Sequence, residues 1–218
     1  MRHGGIVTSV AVALGACGVL LAGGPTGSKA AGESSPCRPS GSQTIAEDHA
    51  GRVFTTTVSG VTSTYGCLFR LGRIWPLDSA GHDLHSRVDS RTLRLRSPWI
   101  GYAQRFMGVD TVSSVVVVTD LRTGRTEHRH AATSEVPGPE SVVSVADIAL
   151  QGDGDVAWTG AADSIVGHGT PVREVERIDR RGFAVLESGA DIALRSLKLT
   201  GSRLSWMAGG TRHSDRLR

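Results

Sequence analysis

Thr92-Leu-Arg-Leu-Arg-Ser-Pro-Trp-Ile-Gly-Tyr-Ala103 and Ser196-Leu-Lys-Leu-Thr-Gly-Ser-Arg-Leu-Ser-Trp-Met207 align over twelve positions without a gap. Each runs β-former, Leu, base, Leu, turn, and then an apolar, a small and an aromatic residue. A third copy, Asp147-Ile-Ala-Leu-Gln-Gly-Asp-Gly-Asp-Val-Ala-Trp158, fits with one extra residue in its turn. Upstream, Leu77-Asp-Ser-Ala-Gly-His-Asp-Leu84 matches Leu186-Glu-Ser-Gly-Ala-Asp-Ile192 with one deletion. The aromatic markers Tyr102, Trp158 and Trp206 lie 56 and 48 residues apart. A period near 50 residues means that a structural unit recurs, and that unit governs the fold.

Around these copies the chain alternates short β-type runs with turns. The runs are 52–58, 63–69, 73–77, 92–96, 99–104, 113–120, 126–131, 144–150, 155–160, 172–178, 183–186, 196–199 and 203–207. Thr123-Gly124, Asp153-Gly154, Arg181-Gly182, Thr200-Gly201 and Gly209-Gly210 punctuate them. No window repeats apolar residues at i, i+3, i+4 and i+7 for the turns a helix requires. The expectation is an all-β protein. With about four strands per 50-residue unit, it is a β-propeller-like array of about four antiparallel blades. The units fall near 52–84, 93–131, 144–187 and a partial 192–216, within a domain spanning 44–218. Either strand 52–58 completes the last unit and closes the ring, or the array stays open.

Strand ends of the type Asp120-x-x-x-Gly124 and Asp179-x-x-Gly182 recur as well. The units resemble the degenerate blades of bacterial extracytoplasmic β-propellers of the WD40-like, TolB-like and quinoprotein-like kind. Val115-Val-Val-Val-Thr-Asp120-Leu-Arg-Thr-Gly124 is similar to the quinoprotein repeat, whose strand ends in Asp before a Gly turn. Thr126-Glu-His-Arg-His130 stands where that family places a Trp, so the resemblance carries no quinone site and implies no cofactor. The chain is also similar to short secreted propeller-like proteins with a leading Cys, a Tyr65-Gly66-Cys67 strand and a closing Trp206 to Gly210 unit. These motifs are structural and imply no activity.

Composition is that of a globular domain: 218 residues, 39% hydrophobic, 5% aromatic and 21% charged. The N-terminus reads as an export segment. Arg2 and His3 precede an uncharged run from Ile6 to Ala22, and Gly23, Gly24 and Pro25 break it. Ser28-Lys29-Ala30 supplies the small residues that a signal peptidase requires. Residues 1–30 are therefore expected to be a signal peptide, and the Pro/Gly/Ser-rich 31–43 a flexible linker. Leu14-Gly15-Ala16-Cys17 resembles a bacterial lipobox, which leaves two routes open, soluble secretion or a lipid anchor at Cys17. Without Arg2 and Lys29, the 24 basic residues fall to 22 against 21 acidic. That near-neutral balance, with no basic stripe along the sequence, excludes a nucleic-acid footprint.

Either route leaves Cys37 and Cys67 as a pair in an oxidising compartment, where a disulfide is expected. Closing a loop of about 31 residues is worth roughly 3–4 kcal/mol in the chain-entropy model. His128-x-His130 on a strand puts two imidazoles on one face, a zinc or copper pair lacking its carboxylate, and so reads as a solvated edge strand. Gly81-His-Asp-Leu-His85 has no accompanying nucleophile, and Gly152-Asp-Gly-Asp155 is a hairpin turn without calcium-loop spacing. No catalytic, cofactor or metal motif is present in the sequence.

By alternation Tyr102, Trp158 and Trp206 face a core with Ile100, Val156 and Leu204, whereas Trp99 lies on the opposite face. Its aligned partners are Asp155 and Arg203, which makes Trp99 the candidate exposed contact, to a sugar or peptide, or a surface ring packed on an Arg. Function is expected to be that of an exported or envelope-associated binding or scaffold module, with a protein or cell-wall carbohydrate as partner. The alternative is a propeller hydrolase or lyase with Asp83, Asp120, Asp147 and Asp191 converging on a central channel.

Overall fold

The computed structural model describes residues 36–78, 86–109, 111–135, 140–165, 167 and 169–218. Among them are fifteen strands and no helix. The first sheet is an antiparallel meander of β1 (Gln43–Glu47), β2 (Gly51–Val58), β3 (Val61–Leu68) and β4 (Arg73–Pro76). The second holds eight strands: β5 (Ser86–Arg96), β6 (Trp99–Met107), β7 (Val112–Asp120), β8 (Arg125–Ala131), β9 (Ser141–Leu150), β10 (Val156–Ser164), β11 (Val172–Asp179) and β12 (Gly182–Ser188). It consists of two four-stranded meanders, β5–β8 and β9–β12, joined only through a parallel pairing of Val112 with Val142. The third sheet is β13 (Lys198–Thr200), β14 (Arg203–Ala208) and β15 (Thr211–Arg216), with Ile192 bridging to Ala208.

The sheets do not close on themselves. Residues 52–58 pair with β1 and β3 in the first sheet, so this segment does not complete the last unit. Two strands escape the sequence reading. β1 and β15 carry mostly polar residues, Gln43-Thr-Ile-Ala-Glu47 and Thr211-Arg-His-Ser-Asp-Arg216, because each is a sheet edge whose backbone pairs on one side only. Alternation of apolar side chains reports burial, and these strands bury little.

Packing follows the repeat. Three cores separate the four meanders, and each contains one aromatic from a second strand. Tyr102 and Ile100 of β6 meet Val53, Leu68 and Leu77 of the first meander. Trp158 and Val156 of β10 meet Ala103, Val116 and Val118 of the second. Trp206 and Leu204 of β14 meet Ala149, Ala157 and Val175 of the third. The three rings are 3%, 0% and 4% exposed, so they occupy equivalent strands in separate cores rather than one shared core. Each donates to the end of the preceding meander. The Tyr102 hydroxyl bonds the Leu77 carbonyl at 3.0 Å, Trp158 Nε1 bonds the Ala132 carbonyl at 3.0 Å, and Trp206 Nε1 bonds the Glu187 carboxylate. Burial pushes the Tyr102 phenol up to about 12. The chain comes so close behind Trp158 that a Cβ on Gly160 would strike the Ala132 carbonyl.

The aligned copies share a hydrogen-bond device at their two ends. Thr92 Oγ1 donates to the Asp89 carbonyl at 2.8 Å and accepts the Ala103 amide at 2.9 Å. Ser196 Oγ donates to the Ala193 carbonyl at 2.6 Å and accepts the Met207 amide at 2.8 Å. In both copies a hydroxyl replaces a missing carbonyl where the first strand breaks its ladder, so the offset of eleven residues is a structural constant of the unit. Asp120 and Asp179 likewise fold their own turns, accepting the Arg122 and Arg181 amides at 2.8 Å each. The strand-end Asp pattern is thus a turn device.

Cys37 and Cys67 are joined, with Cα atoms 5.5 Å apart. Both are fully buried beside Phe54, Tyr65 and Phe69 of the first meander, in a cluster apart from the three cores. The Arg52 guanidinium adds to this patch, donating to the Cys37 carbonyl at 2.9 Å and lying 5.2 Å from the Phe54 ring centre. Between Pro36 and Ser42, part of the stretch read as linker, the backbone makes turns anchored by this bridge.

Candidate functional site

The residues nominated by sequence separate into different surroundings. Trp99 is partly exposed at the start of β6, with the Arg122 guanidinium 5.2 Å from its ring centre and the Gly154 turn packed against its indole. Arg122 is itself held by Asp120 at 2.9 Å, so the ring is covered on one side by a fixed cation. His128 and His130 share one face of β8, as alternation requires. The His130 ring stacks on Phe183 at 4.1 Å, and burial lowers the proton affinity of His128. Among the described residues no three His, Cys, Asp or Glu side chains come together as a metal site.

The carboxylates of the hydrolase reading have separate occupations. Asp120 binds Arg122, Asp147 accepts from Arg94 at 2.6 Å, and Asp191 lies beside Gly209. Cys17, His82, Asp83 and His85 lie outside the described residues.

The structure brings forward a site that none of these nominations contained. Between β12 of the third meander and β14–β15 of the last lies an open cleft of about 680 Å³, lined by Val185, Leu186, Glu187, Trp206, Thr211 and His213, among others. On its wall one oxygen of Glu187 accepts the Trp206 Nε1 hydrogen, and His213 Nδ1 lies 3.2 Å from the same oxygen. Trp206 is buried by the core behind it, and this carboxylate satisfies its N–H. Glu187 is thereby oriented, with the His213 imidazole beside it. The His213 side chain is 40% exposed and that of Glu187 22%, so both reach solvent. The arrangement offers an acceptor and a donor at fixed separation on a partly apolar floor, with Val185 40% exposed beside them. It can hydrogen-bond a polar ligand. Thr211 and Ser214 add hydroxyls to its lining.

A second unusual group is fully enclosed. Glu174 and Glu176 point to the same face of β11, 2% and 0% exposed. Glu174 is satisfied, accepting the Ser134 amide at 2.6 Å and its hydroxyl at 2.7 Å. Neither Glu176 oxygen has a hydrogen-bond partner, and the buried Thr133 hydroxyl lacks one too. Burial, reinforced by the neighbouring Glu174 carboxylate, pushes the Glu176 carboxyl up to about 9, so it is neutral at pH 7. By alternation both share a face with Val172 and Ile178, which pack against the core that holds Trp158, while Val175 joins Arg173 and Arg177 on the other face. That face packs against the Trp158 core, and the link through Ala132 and Ser134 meets it by bonding Trp158 and Glu174.

At the rim of the last two meanders Arg177 and Arg181 both bind Asp179, and Arg181 reaches Asp215 at 3.8 Å. Burial raises the Asp179 carboxyl, but hydrogen bonds from the Arg181 side chain and amide and the Arg218 amide outweigh it and bring it to about 2. This cluster ties the end of the chain to β11. No family model and no curated protein matches this chain.

Proposed function

We propose that the protein is an exported or envelope-associated binding module, built as an open propeller-like array of blade-like meanders, with the Glu187–His213 cleft as its ligand site. Support for the architecture comes from the equivalent strand positions of Tyr102, Trp158 and Trp206 in successive cores and from the repeated Thr92 and Ser196 bridges. Support for export comes from the tripartite N-terminal pattern and from a fully buried disulfide of the kind oxidising compartments maintain. The binding reading is carried by a single observation. In the open cleft, a carboxylate positioned by a buried tryptophan lies 3.2 Å from a solvent-facing imidazole, beside hydroxyls and a partly apolar floor. Fixed donors and acceptors beside an apolar floor suit the hydroxyls and acetamido groups of a cell-wall glycan.

Incubation of the purified protein with peptidoglycan sacculi and with soluble cell-wall glycan fragments tests this reading. Retention on sacculi, competed by the fragments and lowered at least tenfold by His213→Ala or Glu187→Gln, is the expected result. Absence of retention, or retention that both variants leave unchanged while remaining folded, overturns it. Intact mass of the cell-free product adds a test of export. A start near Ala31 or a diacylated Cys17 supports it, and a full-length cytoplasmic product removes it.

A further inference from the structure

The outward face of the last sheet, opposite its core, carries a chemistry distinct from the cleft. Strand alternation and register place Lys198 and Thr200 of β13, Arg203, Ser205 and Met207 of β14, and Arg212, Ser214 and Arg216 of β15 on that one face. Leu204, Trp206 and Leu217 point the other way into the core. The face therefore holds four cations and three hydroxyls, and no acidic residue alternates onto it. Among the described residues none of Lys198, Arg203, Arg212 and Arg216 has a carboxylate within ion-pair distance. The four side chains sit on exposed residues.

The pairing makes this more than a solvated surface. Arg203 and Arg216 stand directly opposite one another on β14 and β15, a like-charge cross-strand pair that by itself destabilises the sheet. Arg203 reaches only the Ser214 hydroxyl, at 3.3 Å. Beside the pair the surface sinks into a cavity of about 330 Å³ lined by Arg181, Arg203, Ser214, Asp215, Arg216 and Arg218. Asp215 is already engaged by Arg177 at 3.4 Å and Arg181 at 3.8 Å, so it does not neutralise the Arg203–Arg216 pair. An oxyanion in this cavity would relieve the repulsion and accept from two guanidinium forks, the geometry that Arg offers to phosphate. Arg212 lies four residues from Arg216 on the same strand, roughly 13 Å along the face. One small ion cannot span that distance.

We infer that this face binds a linear polymer bearing phosphate groups, with one phosphate seated between Arg203 and Arg216 and others over Arg212 and Lys198. The alternatives fit less well. The face has no aromatic ring for stacking bases and is a flat sheet rather than a helix or ribbon for a groove, which argues against nucleic acid. Met207 is its only apolar side chain and is partly buried, so there is nothing to insert into a bilayer.

Long-chain inorganic polyphosphate is the probe. Titration of the purified protein at several salt concentrations is expected to show saturable binding that weakens linearly in log–log form with salt. Arg216→Gln and Arg203→Gln are each expected to weaken it about tenfold and to lower the salt slope by about 1. Arg70→Gln, an exposed arginine on the first sheet side, removes the same charge elsewhere and is expected to change little. Polyphosphate is also expected to raise the melting temperature of the wild type and not of the double variant, which reports that the variant folds. No binding at low salt, an equal loss in Arg70→Gln, or binding to vesicles of anionic phospholipid in place of the polymer overturns the proposal. Because His213→Ala leaves this face intact, failure of the glycan cleft and failure of the polyanion face are separately visible.

Discussion

Glu176→Gln removes a strongly perturbed proton while keeping the shape of the side chain. In the native state the carboxyl is 0% exposed, has no hydrogen-bond partner on either oxygen, and stands beside Glu174, which together hold it protonated up to about pH 9. In the unfolded chain it ionises near its ordinary value of 4.5. Between these two values the native state binds a proton that the unfolded state has released. The stability tied to this proton is therefore fully present below about pH 4.5 and declines as the pH rises toward about 9. The slope is about 1.4 kcal/mol per pH unit, so the wild type loses roughly 3 kcal/mol between pH 6 and pH 8 through this one group. That is a large fraction of a typical stability of about 5–15 kcal/mol. Urea unfolding of wild type and variant at intervals from pH 4 to pH 9 measures it. The difference between the two curves cancels the titrating groups remote from the Glu174–Glu176 pair, Asp179 included. The expected outcome is near-equal stability at the acid end and a growing advantage for Glu176→Gln above pH 6. Parallel curves would refute the buried neutral acid and with it the account of how the 132–134 link is seated.

Trp158→Ala should cost roughly 3–5 kcal/mol by calorimetry or denaturant unfolding, because it empties a fully buried site and orphans the Ala132 carbonyl, whereas Trp99→Ala, partly exposed under Arg122, should cost less than half as much. Thr92→Ala leaves the buried Ala103 amide without its acceptor and should cost about 1–3 kcal/mol, while Thr92→Ser, which keeps the hydroxyl, should recover most of it. Reduction of the Cys37–Cys67 bridge should lower the melting temperature by an amount matching roughly 3–4 kcal/mol, and peptide mapping without reductant should recover the two cysteines linked. Free thiols in freshly purified native protein would contradict that.

Local rules made much of this chain legible. Strand and turn positions follow from alternation and from Gly124, Gly154, Gly182 and Gly201, all of which adopt the positive φ that those turns require. The alignment of 92–103 with 196–207 is readable because a hydroxyl and the amide it receives sit at a constant offset, a constraint that one unit carries within itself. The core faces of Tyr102, Trp158 and Trp206 follow from period two alone.

What the linear pattern leaves open is everything that depends on which face meets which. Strand 52–58 has the composition of a strand in any sheet, and only its pairing with β1 and β3 assigns it to the first. Glu174 and Glu176 share a face with Val172 and Ile178, and only the packing of that face against the Trp158 core decides that two carboxyl groups are buried. Glu187 and His213 are separated by a whole strand pair and become partners only where two meanders pack together. Arg203, Arg212 and Arg216 form no basic run in sequence, and antiparallel register gathers them with Lys198 on one face. The sequence by itself determined the strands, their turns and the repeat, because those are set by interactions between near neighbours. Tertiary structure decided the burial of charge, the cleft and the cationic face, because these arise from contacts between units whose mutual placement no local spacing encodes.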